Sequence, residues 1–186
     1  MTKISHEVPL ALLEESLNFN DYDYCLPHLL DKEEQYKQFF YKSRDTGRYV
    51  MMDNSLHELG VPYSEDRLLY WLEELRPQEF FVPDFWEDKT KSVVSAKKWA
   101  SIQLSFPEVT FIAVVQASSY YEAVECYQTY KDLGYKKIAF SYGASYYNEV
   151  CPHPHPVFGK ALGRIQTITK MHNIGIISQS DRVHLL

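Results

Sequence analysis

Short hydrophobic runs that each stop on a polar residue recur along this chain, and a segment of helical period follows each one. The runs are Arg48 to Asp53, Phe80 to Asp84, Phe111 to Gln116 and Ile138 to Tyr142. Apolar β-branched and aromatic runs between amphipathic segments predict βα units of a parallel sheet. Tyr22 to Leu26 reads as an earlier strand ended by Pro27, and Asp181 to Leu186 as a sixth.

The helical periods are placed by their stops. Asp31 to Tyr41 is one, followed by a turn at Arg44 to Gly47. Ser64 predicts an N-cap for the helix Arg67 to Leu75, with Leu68, Leu69, Leu72 and Leu75 on one face and Pro77 as terminator. Thr90 to Leu104 ends before Pro107, and Tyr120 to Leu133 closes on Gly134, placed as a C′ glycine. Val157 to His172 is the last. Between Gly143 and Pro156 the pattern lapses into one long loop, the length at which loops bind or cover something.

Six strands leave two architectures open, a doubly wound open sheet or part of a (β/α)8 barrel, which needs about 250 residues. The expectation is α/β, a TIM-barrel-like fold of about six βα units in a single domain over 1–186, as the N-terminal portion of a longer or split barrel. An apolar terminal strand left at a sheet edge predicts self-association or a second polypeptide that covers it. With seven glycines and no Gly fingerprint after the first strands, a dinucleotide-binding domain is disfavoured.

Composition narrows the class. Of 186 residues 45% are hydrophobic and 24% charged, a globular balance, and no run approaches the ~18 apolar residues of a membrane span. The amino terminus has no apolar core segment of a signal peptide. Cys25, Cys126 and Cys151 are far apart and odd in number, so a reduced, cytoplasmic setting is expected rather than a disulfide scaffold. A net charge of −6 argues against a surface that grips nucleic acid over its whole extent.

In parallel sheets the reactive groups stand at the carboxyl ends of the strands. Asp53, Asp84 and Gln116 are thus expected to converge on one rim, where two carboxylates and an amide suit acid/base work or a nucleobase. A polar side chain such as Gln116 at the end of an apolar strand needs a partner, either a ligand carbonyl or a neighbouring backbone. Asp88, in the turn after Asp84, reads as a helix-start acid. Cys151, His153 and His155 have metal-ligand chemistry, but the prolines between them hold an extended chain on which alternate residues do not converge, so no metal is assigned. His57-Glu58 reads as the start of a polar loop with a role beside Asp53 left open.

These strand ends resemble the tRNA-guanine transglycosylases and their phage and bacterial relatives that insert 7-deazaguanines into DNA. The segments are Val50-Met51-Met52-Asp53-Asn54-Ser55, Val82-Pro83-Asp84-Phe85-Trp86-Glu87-Asp88-Lys89-Thr90, Ala113-Val114-Val115-Gln116-Ala117, Ile138-Ala139-Phe140-Ser141-Tyr142-Gly143 and Arg182-Val183-His184-Leu185-Leu186. Order and spacing over Tyr22 to Leu186 carry the resemblance, each motif being short. Where the family has paired glycines after its first aspartate, this chain has Asn54-Ser55-Leu56-His57-Glu58, closer to the DNA-directed branch.

The resemblance implies a base-exchange glycosyltransferase, or its base-binding part, acting on guanine or a 7-deazaguanine in DNA or tRNA. It implies Asp53 as general acid/base, Asp84 and Gln116 as base-recognition groups, and Ser141 and Tyr142 lining the same pocket. It also implies that the family's nucleophilic aspartate and zinc-binding cluster fall beyond Leu186, so no cofactor is expected within this chain. A non-catalytic βα binding or assembly protein derived from the family is the alternative.

Overall fold

The computed structural model of the protein describes residues 3–186. Met1 and Thr2, on which the reading of the amino terminus opens, lie outside them. The fold is α/β, with strands β1 (Asp23–Cys25), β2 (Val50–Met52), β3 (Glu79–Phe81), β4 (Thr110–Val115), β5 (Lys137–Phe140) and β6 (Arg182–Leu185). Strand order is sequence order throughout, and the ladders β1–β2, β2–β3, β4–β5 and β5–β6 are parallel. A doubly wound sheet reverses its order at a switch point. Here the order never reverses, which is the winding of successive units in a (β/α) barrel. The chain divides into two compact units, Met1–Phe81 with Phe106–Thr110, and Val82–Ser105 with Phe111–Leu186.

In the first unit helix α1 (Leu13–Ser16) precedes β1, and β1, β2 and β3 are joined by α2 (Pro27–Lys32), α3 (Glu34–Asp45), α4 (Leu56–Leu59) and α5 (Glu65–Leu75). Every residue of β2 and β3 is buried, Glu79 included, as expected of parallel strands covered on both faces. On α5 the buried set is Leu68, Trp71, Leu72 and Leu75, a single helical stripe. Ser64 holds the N-cap position but makes no side-chain capping bond; Glu65 and Asp66 in the first turn supply the favourable charge instead.

The one helix expected over Asp31 to Tyr41 is two. Pro27, read as the end of β1, is also the first residue of α2, where its fixed φ and missing N–H suit a helix start. Glu33, extended at φ −120° and ψ 106°, separates α2 from α3. The four-residue α4, in a stretch read as loop, is too short to leave a periodic signal.

The second unit carries β4, β5 and β6 with helices α6 (Lys89–Ile102), α7 (Tyr120–Asp132), α8 (Tyr147–Val150) and α9 (Pro156–Asn173). Asp88 caps α6 by accepting from Lys91 N, and Ser119 caps α7 by accepting from Glu122 N. Gly134 closes α7 at φ +89°, which disfavours side chains. The long loop is interrupted by α8, which α9 approaches so closely at Gly163 that a Cβ there would lie 2.0 Å from Tyr147 O.

Strand faces follow from the ring contacts. Trp99 of α6 meets Phe111, and Tyr127 of α7 stacks on Phe140. Fully buried rings of this size each contribute about 1.5–3 kcal/mol. Val115 is level with Phe140 in the β4–β5 register. Side chains alternate along a strand, so Gln116 and Ser141, one residue further on, stand level and on the face away from α6 and α7.

Candidate functional site

In the second unit, Val82 N donates to Ile112 O at 2.9 Å and carries the chain to Asp84. Gln116 follows β4 directly. Asp84 is 4% exposed and Gln116 2%, and Gln116 Nε2 donates to Asp84 Oδ2 at 2.6 Å. The amide's other end, Oε1, accepts from Glu87 N at 3.0 Å. These neighbours fix the amide orientation: an ionised carboxylate only accepts and a backbone N–H only donates. The partners of Gln116 are thus a carboxylate and the backbone of the loop after β3, rather than a neighbouring strand.

Glu87 reaches that position with φ +51°, a left-handed conformation costly for a side-chain-bearing residue. Its carboxylate accepts from Ser145 N, tying the loop after β3 to the loop after β5. Trp86 lies against Gly143, where a Cβ would come within 3.0 Å of the indole. The Ser141 hydroxyl is buried without a hydrogen-bond partner. Tyr142 is 52% exposed, and the Arg164 guanidinium covers its ring at 5.7 Å.

Asp53 lies in the first unit, one residue past β2, its N–H bonded to Cys25 O at 2.8 Å. It is 8% exposed. Burial above all, then the charge of Glu58, pushes its carboxyl up to about 7, while the Asn54 and Ser55 N–H groups and the Tyr24 hydroxyl pull it down. A carboxyl near neutrality suits proton exchange at physiological pH. The acid that raises it within this unit is Glu58, from the segment read as a polar loop.

Ser55 N donates to Asp53 Oδ2 at 3.1 Å, and Ser55 Oγ stands 2.8 Å from His28 Nδ1. Ser55 has φ +61°. Burial lowers His28, favouring its neutral ring. Sequence reasoning passed over His28, Tyr24, Ser55 and Glu87; Tyr24 and His28 flank the end of β1, the one signal that pointed to them.

No protein-family model matches the chain, and no curated protein matches it.

Proposed function

We propose that this protein is the base-binding part of a guanine-exchange transglycosylase, taking guanine or a 7-deazaguanine at Asp84 and Gln116 of the second unit. The observation that carries the reading is the 2.6 Å contact between Gln116 Nε2 and Asp84 Oδ2. It sets an amide N–H donor beside a carboxylate acceptor. The amide nitrogen has a second hydrogen, and a carboxylate oxygen can accept more than one hydrogen bond. Guanine presents a carbonyl next to ring and exocyclic N–H groups, the complement of that pattern. Adenine, turned so that its amine meets the carboxylate and a ring nitrogen the amide, offers the carboxylate one N–H edge where guanine offers two, and forms one hydrogen bond fewer.

Asp53, in the first unit, has a carboxyl near 7, and a group half-protonated at neutral pH can give and take a proton at similar cost, the property that base exchange asks of its acid/base. Ser141 is assigned a contact with the bound nucleotide, since its buried hydroxyl lacks a partner and stands level with Gln116. Exchange also needs a nucleophile at C1′ of the target nucleotide, and no residue of this chain is assigned that role. DNA or tRNA is the proposed source of the base.

A thermal-shift series tests the reading. Guanine and 7-cyano-7-deazaguanine are expected to raise the Tm, by about 2.7 kcal/mol of added stability at a hundredfold excess over Kd, and adenine to raise it less at the same concentration. Equal shifts for guanine and adenine, or none for either, would remove the base assignment.

A further inference from the structure

Lys160 and Arg164 stand one turn apart on α9, and each reaches a main-chain oxygen beyond a strand end. Lys160 Nζ donates to Gly143 O at 2.8 Å, past β5, and Arg164 Nη1 donates to Leu186 O, past β6. Among the described residues no acidic side chain lies within ion-pair distance of either cation. Arg164 is only partly accessible, and its Nε is buried without a hydrogen-bond partner. Nε is closed to solvent, so an incoming anion would meet the guanidinium at its Nη atoms, and its charge would offset part of the cost of the guanidinium's partial burial. Burial accordingly lowers its pKa.

Lys160 adjoins the loops of the candidate base site, with Arg164 one turn further along α9. Lys160 Nζ is 3.9 Å from the point where a Gly143 Cβ would stand, and Trp86 occupies the other side of that point. From Trp86 the chain passes to Glu87, which binds both Ser145 N and Gln116 Oε1. Glu87 is engaged by Ser145 rather than by Lys160, and Asp88 by Lys91.

We propose that Lys160 and Arg164 form a phosphate subsite for the nucleotide whose guanine-like base meets Asp84 and Gln116. A lysine ammonium supplies a compact charge and an arginine fork directed donors, the combination that phosphate oxygens accept. The nucleotide identity rests on the base-binding reading above; the anion subsite stands on the cations themselves.

Calorimetric titration of the full chain with guanosine, guanosine 5′-monophosphate and inorganic phosphate separates the two. The monophosphate should bind about tenfold more tightly than guanosine, the worth of one charge-assisted hydrogen bond, and the advantage should shrink as salt rises. Lys160→Gln should abolish the advantage and leave guanosine affinity unchanged; Arg164→Gln should do the same where circular dichroism shows it folded. Equal affinity for guanosine and its monophosphate in the unsubstituted protein would overturn the subsite while leaving the base reading intact. Binding of inorganic phosphate, sensitive to Lys160→Gln, without binding of guanosine would uphold the anion subsite and sink the base reading. No binding of any of the three would overturn both.

Discussion

Gln116 donates to Asp84 across 2.6 Å in a region where both side chains are almost wholly excluded from water. Each makes the other's burial tolerable, because a buried carboxylate or amide without a partner costs several times what a made hydrogen bond gains. Gln116→Ala should therefore destabilise the protein by about 2–3 kcal/mol, leaving Asp84 short of a donor and Glu87 N short of an acceptor. Gln116→Glu places two carboxyls in contact and should be least destabilising at low pH, where one of them holds a proton. Urea unfolding of both variants at pH 5 and pH 8 measures the difference.

Asp53 gives the unfolding profile a definite sign. Its folded-state pKa, about 7, lies above the ordinary aspartate value of 3.8, so between these values the folded state holds a proton that the unfolded state has released. Its contribution to stability is fully present below about pH 4 and is lost as pH rises through 7. Asp53→Asn removes that loss and should be more stable than the unsubstituted protein at pH 8, by on the order of 4 kcal/mol. The gap should close by pH 4. A gap of the same size at both pH values would show that Asp53 titrates as an ordinary carboxylate.

The strands were legible because parallel strands buried on both faces must be hydrophobic throughout, as in Val50–Met52 and Phe111 to Val115. Asp84 and Gln116 stood out for the same reason, as polar groups that interrupt such runs. What escaped was set by backbone conformation and by short elements. Ser55 and Glu87 adopt positive φ without being glycine, so no residue type announces the turn. Glu58 acts on Asp53 through its charge from a four-residue helix, too short for periodicity to reveal. His28 escaped because Pro27, taken as a stop, opens a helix.

The α8–α9 contact should prove intolerant of one methyl group. At Gly163 an added Cβ would meet the Tyr147 carbonyl at 2.0 Å, backbone against backbone, with no flexible side chain to give way. Gly163→Ala should cost about 3 kcal/mol or more despite alanine's better helix propensity. A variant as stable as the parent in thermal unfolding would mean that α9 can shift along α8 freely.

The central claim, that Asp84 beside Gln116 recognises a guanine-like ring, is tested most directly by calorimetric titration with 7-cyano-7-deazaguanine before and after Asp84→Asn. The substitution keeps shape and replaces an acceptor by a donor at the oxygen facing the ring's N–H groups. The account predicts measurable binding by the unsubstituted protein and a loss of at least about tenfold in the variant, the value of one charge-assisted hydrogen bond. Equal affinity in the two proteins would contradict it.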